Sequence, residues 1–276
     1  MNSKAIRSGP SHSVETKILV VEFIGAFAVT YIVSWATIFS DIGTVSMNGV
    51  ALAYAITSLV FMWFAIPISG GHFNPAITIG MLIGKRIDLS SAIFYVGSQF
   101  IGAIVAAGFI MIQLNQEIFD KIKEHSVMGI PHPGNFDYEV SAFWGEAIGS
   151  FLIMLIYIAL IEDSSKHQSQ DLGASAYAFA IYICSMTLSE ISGSGLNPAR
   201  SLAPALVAGV VGKMQFIHLL APVIGAILAV VIYNAIYVEE DEENKSLITQ
   251  VQVEEHQKLA TNGDIQATEL EMQQSK

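Results

Sequence analysis

The sequence predicts an all-α membrane protein with six spanning helices and two re-entrant half-helices, arranged as an inverted internal repeat. Three observations predict this fold. Hydrophobic residues make up 53% of the 276 residues and charged residues only 13%, which is not the composition of a soluble domain. Six apolar runs have the length of a membrane. One helix-starting triplet also occurs twice, as Asn74-Pro75-Ala76 and Asn197-Pro198-Ala199.

The six apolar runs are each long enough to cross a bilayer, which takes about 20 residues of helix at about 1.5 Å per residue. The first run is too long for a cleavable signal peptide and is therefore predicted to span the membrane. Small residues are scattered through the runs, as close helix packing in lipid favours. The predicted spans are 18–39, 49–68, 91–114, 140–161, 172–191 and 216–237.

Two further apolar segments, 74–84 and 197–209, are too short to cross. The first would be about 16 Å long as a helix, which is half of a membrane. Each segment begins at an Asn-Pro-Ala triplet, where Asn is a favoured N-cap and Pro suits the first helical turn. They are therefore predicted to be half-helices whose positive N-terminal ends point into the membrane interior.

The two halves of the chain repeat each other. Glu22 precedes Asn74 by 52 residues, and Glu146 precedes Asn197 by 51. Each half contains three predicted spans, an odd number, so the halves lie inverted in the membrane and their half-helices are predicted to meet end to end. Further matched pairs, counted from the nearer Asn, are Tyr54 with Tyr177 and Gly102 with Gly225.

The segments around the two triplets resemble the signature loops of the major intrinsic proteins, the aquaporins. The match runs from about residue 17 to 238, and it combines two triplets, matched spacings, paired glutamates and an Arg after the second triplet. The resemblance implies the aquaporin fold, passive conduction and a homotetramer with one pore per subunit. The two segments are Ser69-Gly70-Gly71-His72-Phe73-Asn74-Pro75-Ala76 and Gly193-Ser194-Gly195-Leu196-Asn197-Pro198-Ala199-Arg200-Ser201.

Charge and resemblance together divide the chain into three parts. Residues 1–16 are predicted to be a cytoplasmic N-terminal segment, 17–238 a channel domain with repeats at about 17–114 and 139–238, and 239–276 an acidic cytoplasmic tail. The tail contains ten acidic and three basic residues, so it carries −7 of the net charge of −11. With both termini cytoplasmic, nine lysines and arginines lie inside and three outside, as the positive-inside rule favours.

The side chains of Asn74 and Asn197 are predicted to cap the half-helices and to present an amide N–H to passing water. Water would accept from both amides and donate to neither, which interrupts a hydrogen-bonded chain, while the positive helix ends repel protons and cations. The alternative is that both Asn residues act only as caps. Backbone carbonyls before the half-helices are predicted to line the path, with packing alone as their alternative role. They belong to Gly70, Gly71, His72, Gly193 and Gly195.

Glu22 and Glu146 lie within predicted spans, where a carboxylate must be paired or hydrogen-bonded. They are predicted to accept N–H groups from the two loops, a supporting role that the resemblance also implies. A proton-relay role would instead indicate a transporter. His72 is expected to support its loop, because no second metal ligand lies at a useful spacing.

Arg200 follows Asn197 by three residues, and a permanent cation there is costly unless it faces water. The alternative is an Arg that is paired with a carboxylate or packed against a loop. The resemblance implies that Arg200 belongs to a four-residue constriction that selects solutes. The other three positions are Tyr54, Ser185 and Ser194.

The constriction departs from the family's water-specific pattern. Strict water channels usually have His at the position of Ser185, so the opening is expected to be wider here. Strict glycerol channels usually have Asp where Ser201 stands and a long insertion before the last span, and this chain has neither. Adjacent helix residues point about 100° apart, so only one of Ser185 and Cys184 can face the pore, and the resemblance favours Ser185.

The predicted function is passive conduction of water and of small uncharged solutes such as glycerol or urea, with protons and ions excluded. The alternatives are a strictly water-specific channel, a structural membrane-junction protein and a secondary transporter. The expected partners are the solutes and the lipid bilayer, and the expected location is the plasma membrane. No enzyme activity, cofactor or metal is expected, since no nucleophile–base pair or metal cluster is visible. No basic field favours nucleic acid.

Overall fold

The computed structural model describes residues 16–115, 128–132, 139–159 and 170–236, and these form helices joined by turns and loops. Residues through Val231 make one compact unit, and a second unit begins at Ile232 with the end of the last helix. The described helices are α1 (Thr16–Asp41), α2 (Met47–Ser69), α3 (Pro75–Ile83), α4 (Leu89–Gln113), α5 (Glu139–Tyr157), α6 (Gln170–Leu188), α7 (Pro198–Ala208) and α8 (Lys213–Ile236).

Five of the described helices, namely α1, α2, α4, α5 and α8, are long and apolar enough to cross a membrane. The sixth, α6, contains the shorter apolar stretch Leu172–Leu188 and begins directly after residues outside the described part of the chain. All six predicted spans therefore correspond to helices, and the described ends agree with the prediction to within a turn. The predicted end of the fourth span at 161 lies outside the described residues.

The largest of these differences at the C-terminal end of a helix lies in the fifth span, where α6 stops at Leu188, three residues before the predicted 191. The chain turns there, and the backbone N–H groups of Ile191 and Ser192 both donate to the carbonyl oxygen of Leu188, at 3.1 and 2.9 Å. These two bonds satisfy one of the carbonyl groups that the helix end leaves open. The early stop lets the following loop turn back toward the second triplet.

The two half-helices begin at the Asn residues of the triplets, as their capping chemistry predicts. Asn74 has extended backbone angles, and its side-chain oxygen accepts the N–H of Ala76 at 2.9 Å. Asn197 does the same for Ala199 at 3.0 Å. A Pro occupies the first turn of each half-helix, where its missing N–H is no loss.

The helices around the half-helices cross at small residues. A Cβ atom on Gly102 of α4 would overlap the carbonyl oxygen of Phe23 on α1. A Cβ atom on Gly225 of α8 would overlap the carbonyl oxygen of Ala147 on α5. Both glycines hold the same place in their repeats, and both oxygen atoms belong to the residue after a repeat glutamate. The backbones thus touch at equivalent crossings, as small residues allow in membrane helices.

We expect Gly102→Ala to destabilise the folded protein by about 1–3 kcal/mol, because the added methyl group meets backbone that cannot rotate away. The matched control is Gly108→Ala on the same helix, where nothing lies within 4 Å of the new Cβ. That change should be neutral or slightly stabilising. Thermal unfolding in detergent measures both, and equal stability of the two variants would contradict the backbone-contact crossing.

Candidate functional site

The two loops that precede the half-helices contact each other directly. The Asn74 amide nitrogen donates to the carbonyl oxygen of Leu196 at 2.9 Å, and the Asn197 amide nitrogen donates to the carbonyl oxygen of Phe73 at 2.9 Å. Each amide has two N–H donors, and the second donor of Asn197 lies within hydrogen-bonding reach of the Tyr54 hydroxyl. The reciprocal bonds hold the two helix starts against each other, and both Asn side chains are buried.

Glu22 on α1 holds the first loop. Its Oε1 accepts the Ser69 hydroxyl at 2.7 Å and the backbone N–H of His72 at 3.0 Å. Its Oε2 accepts the backbone N–H of Phe73 at 2.8 Å and the Gln99 amide at 2.8 Å. Four donors thus compensate a fully buried carboxylate, which is the condition for placing one inside a membrane.

Glu146 on α5 holds the second loop in the same way. Its Oε1 accepts the Ser192 hydroxyl at 2.6 Å and the N–H of Gly195 at 2.7 Å, and its Oε2 accepts the N–H of Leu196 at 2.6 Å. Its fourth neighbour is the ring of His218, with Nε2 at 3.6 Å from Oε1. The two serines also match, because each hydroxyl accepts the N–H two residues later, of Gly71 and of Ser194.

The loop conformation is unusual at the residue before each Asn. Phe73 has φ of 50° and Leu196 has φ of 53°, a left-handed region that side chains disfavour. Both N–H groups are fixed by a glutamate oxygen, and both side chains pack on a repeat glycine. A Cβ on Gly25 would overlap the Phe73 ring, and a Cβ on Gly149 would lie 2.8 Å from Leu196. Carboxylate and glycine together stabilise this strained backbone.

The other positive φ angles of the loops belong to three glycines and to Ser194, which has φ of 55°. Gly70, Gly71 and Gly193 have φ of 85°, 68° and 78°. The Gly70 carbonyl accepts the Tyr157 hydroxyl at 3.0 Å. Within the described residues no donor bonds to the carbonyl oxygens of Gly71, His72, Gly193 and Gly195. Such oxygens are tolerated at membrane depth where they line a water-filled path.

His72 is buried under its loop. Its ring lies between Tyr95 and Tyr157, with centroids 4.9 and 5.6 Å away, and its Nδ1 is 3.0 Å from the Thr78 hydroxyl. The His72 ring is therefore packed between two tyrosine rings and lies within hydrogen-bonding distance of Thr78.

Tyr95 and His218 were not singled out by sequence reasoning. The Tyr95 hydroxyl donates to the Ser69 carbonyl at 2.8 Å, and His218 Nε2 lies 2.8 Å from the Ser192 carbonyl oxygen. Both residues stand 21 positions after their Asn, so the repeat count could have paired them.

Three of the four expected constriction residues line one cavity, namely Ser185, Ser194 and Arg200. Tyr54 is not among the lining residues. It is buried one turn further along α2, beside Asn197 and close enough to Arg200 for an electrostatic interaction. Val50 lines the cavity in the place expected for Tyr54, because residues four apart on α2 lie on the same face of the helix. The other lining residues include Val33, Thr37, Met47, His132 and Ser189.

Cys184 contacts α5, away from the lining of this cavity. Its Sγ lies 3.7 Å from the carbonyl oxygen of Gly149 on α5. The neighbouring Ser185 lines the cavity.

Arg200 is almost fully buried, with 1% of its surface exposed. Its Nη2 donates to the Thr37 hydroxyl on α1 at 3.1 Å. Its Nε and Nη1 have no hydrogen-bond partner among the described residues. A guanidinium must be solvated or paired when it is buried. Arg200 also lines the cavity.

Apolar spanning helices, two half-helices that meet at their N-terminal ends and a polar cavity beside the junction define a membrane channel. The family model of the major intrinsic proteins matches residues 10–233. The chain belongs to the major intrinsic protein family, as its two triplet segments predicted.

Relatives by sequence agree with this family, and a solved structure agrees with the predicted fold. The glycerol uptake facilitator protein-like 6 of Lactiplantibacillus plantarum is 33% identical over 221 residues, covering 76% of this chain and 93% of the relative. The putative aquaporin NIP4-1 of Arabidopsis thaliana is 29% identical over 233 residues, covering 84% of this chain and 78% of the relative. The aquaglyceroporin structure from Plasmodium falciparum matches with a TM-score of 0.66 at 20% identity. The match covers 79% of this chain and 95% of the chain in that structure. The predicted fold is thereby confirmed.

We expect Glu146→Gln to destabilise the protein by about 1.5–3 kcal/mol, because Gln replaces an acceptor oxygen with an N–H donor that faces other donors. The control is Glu139→Gln on the same helix, where an exposed ion pair with Lys213 at 2.9 Å is lost. Exposed pairs contribute about 0–1 kcal/mol. Unfolding in detergent measures both variants, and a Glu146→Gln protein as stable as the control would show that the carboxylate does not hold the loop.

Proposed function

We propose that this channel passively conducts water and small uncharged solutes, including glycerol and urea, and excludes protons and ions. The observation that carries the proposal is the cavity that two hydroxyl side chains, Ser185 and Ser194, line together with the guanidinium of Arg200. A polyol or an amide that sheds its water needs both donors and acceptors, since each unpaired polar group costs about 1–3 kcal/mol. One relative is named for glycerol uptake and another as an aquaporin, which supports glycerol and water as solutes.

Exclusion of protons and cations follows from fixed positive potential along the path. The N-terminal ends of α3 and α7 meet at the junction, and each contributes a partial positive charge. Arg200 adds a full charge one helical turn away. We expect the second N–H groups of the two Asn amides, of which that of Asn197 lies beside the Tyr54 hydroxyl, to orient a passing water as an acceptor. This orientation interrupts proton transfer along a water chain.

A coupled transporter is disfavoured by the state of the two glutamates. A proton relay needs a carboxylate that can exchange its proton with the transport path. All four oxygen atoms of Glu22 and Glu146 accept hydrogen bonds from loop or helix donors. Removing those bonds during each transport cycle would release the loops that the carboxylates hold.

We further propose a homotetramer in the plasma membrane with both termini in the cytoplasm. The outer surface supports this assembly, because many large apolar side chains are exposed on it and need lipid or a neighbouring subunit. The distribution of lysine and arginine favours this orientation.

The proposal is tested by stopped-flow light scattering on proteoliposomes under water, glycerol and urea gradients. Faster equilibration than in protein-free liposomes is expected for all three. Water flux without glycerol or urea flux would reduce the function to that of a strict water channel. No flux, together with vesicle clustering, would indicate the structural-junction alternative.

Replacing Arg200 by Val should keep neutral flux and raise proton or cation flux. The fixed charge is lost from a passage where its screening by solvent is weak, so the barrier to cations falls. An entrapped pH-sensitive dye reports the proton leak. If the leak equals that of the unchanged protein in correctly folded channels, Arg200 does not form the barrier.

Replacing Ser185 by His should reduce glycerol flux about tenfold or more, equivalent to about 1.4 kcal/mol of barrier. The larger ring narrows the opening and removes a hydroxyl partner, while water is small enough to pass. Water and glycerol permeability are compared in the same liposomes, with Cys184→Ser as the control on the neighbouring position, which lies against α5. Equal losses of water and glycerol flux would overturn the role of Ser185 in selecting solutes.

A further inference from the structure

The C-terminal end of α1 contacts Arg200. The sequence predicted a constriction from α2, α6, the second loop and the second half-helix, without a residue from α1. Thr37 is 6% exposed and lines the same cavity as Arg200. Its hydroxyl oxygen lies 3.1 Å from Arg200 Nη2, across 163 residues of sequence. Among the described residues, the Arg200 guanidinium donates a hydrogen bond to Thr37, and its Nε and Nη1 have no partner there.

The geometry of Thr37 suits a fixed acceptor. Its hydroxyl donates to the carbonyl oxygen of Val33 at 2.9 Å, one turn earlier on the same helix. The single hydroxyl hydrogen is therefore used, and the lone pairs are left to accept from Arg200. A β-branched side chain in a helix has few rotamers, so the acceptor position is set by the backbone of α1.

The arrangement orients the remaining donors of the guanidinium. This group is planar and presents five N–H bonds in a fixed fork. Anchoring Nη2 on α1 fixes the plane, and Nε and Nη1 are then the atoms left without a partner in the described residues. Asp41, one turn beyond Thr37, also interacts electrostatically with Arg200, so charge and hydroxyl act from the same helix end.

We propose that Thr37 is a positioning residue that holds Arg200 against the α1 wall of the cavity and so sets which neutral solutes pass. The proposal rests on the proposed function of Arg200. Without the Thr37 acceptor the guanidinium has one more open donor and can move into the opening. Glycerol, which fills more of the cavity than water does, is then obstructed more than water is.

The test is Thr37→Val, which removes the hydroxyl and keeps the branched shape. We expect the ratio of glycerol to water permeability to fall about threefold or more. Thr37→Ser keeps the hydroxyl and should restore the ratio. The matched control is Thr30→Val on the same helix, since Thr30 is equally buried and its hydroxyl has no hydrogen-bond partner in the described residues.

A double-variant comparison tells whether Thr37 acts through Arg200. In an Arg200→Val background, Thr37→Val should cause no further change in the permeability ratio or in proton leak, because coupled residues are not additive. An effect of Thr37→Val that persists at full size in that background overturns the proposal. So does an unchanged ratio in Thr37→Val, or an equal change in Thr30→Val.

The same set separates failure of this inference from failure of the proposed function. If Arg200→Val alone changes neither the permeability ratio nor the proton leak, the proposed role of Arg200 fails. If Arg200→Val changes them and Thr37→Val does not, only the positioning role fails. Should Thr37→Val not reach the membrane intact, Thr37→Ala removes the same hydroxyl without adding a methyl group in its place.

Discussion

The channel depends on two buried carboxylates that accept backbone N–H groups from non-helical loops. A loop inside a membrane exposes polar backbone that neither lipid nor a helix can satisfy. Glu22 and Glu146 resolve this by accepting the N–H groups just before the two Asn residues. Four loop carbonyl groups, those of Gly71, His72, Gly193 and Gly195, have no donor among the described residues, and we propose that they line the path. A buried carboxylate alone would be unfavourable, so loop and glutamate stabilise each other.

The inverted repeat makes the two sides of the junction equivalent, and the two sides then differ at single residues. Both half-helices start at an Asn, and each Asn amide crosses to the other loop. Arg200, however, follows Asn197 by three residues, and the same position in the first half holds the buried Ile77. Arg200 therefore has no charged counterpart at the matched position of the first half. In the function that we propose, the symmetric part forms the barrier at the centre and the asymmetric part selects solutes beside it.

Sequence reasoning performs well where a function depends on spacing along the chain. The spanning helices follow from the apolar runs, and the half-helices and the two glutamates follow from counting residues around the triplets. It performs less well where contacts join distant segments. Nothing in the sequence near Thr37 indicates that it bonds Arg200, and the place of Val50 beside the cavity depends on the rotation of α2 about its axis. The bond of His218 to the second loop differs chemically from that of Tyr95, so a search for identical residues misses it.

Hydrogen–deuterium exchange of the intact channel in lipid nanodiscs tests the central claim, that carboxylates fix the backbone of both loops. Exchange is slow where an N–H is hydrogen-bonded in a stable unit, even next to water. The account predicts that peptides covering the loop residues before Asn74 and Asn197 exchange as slowly as peptides from the spanning helices. Exchange at the rate of an unstructured, water-exposed segment would contradict it, because loops that open freely could not keep the amides and carbonyls aligned along the path.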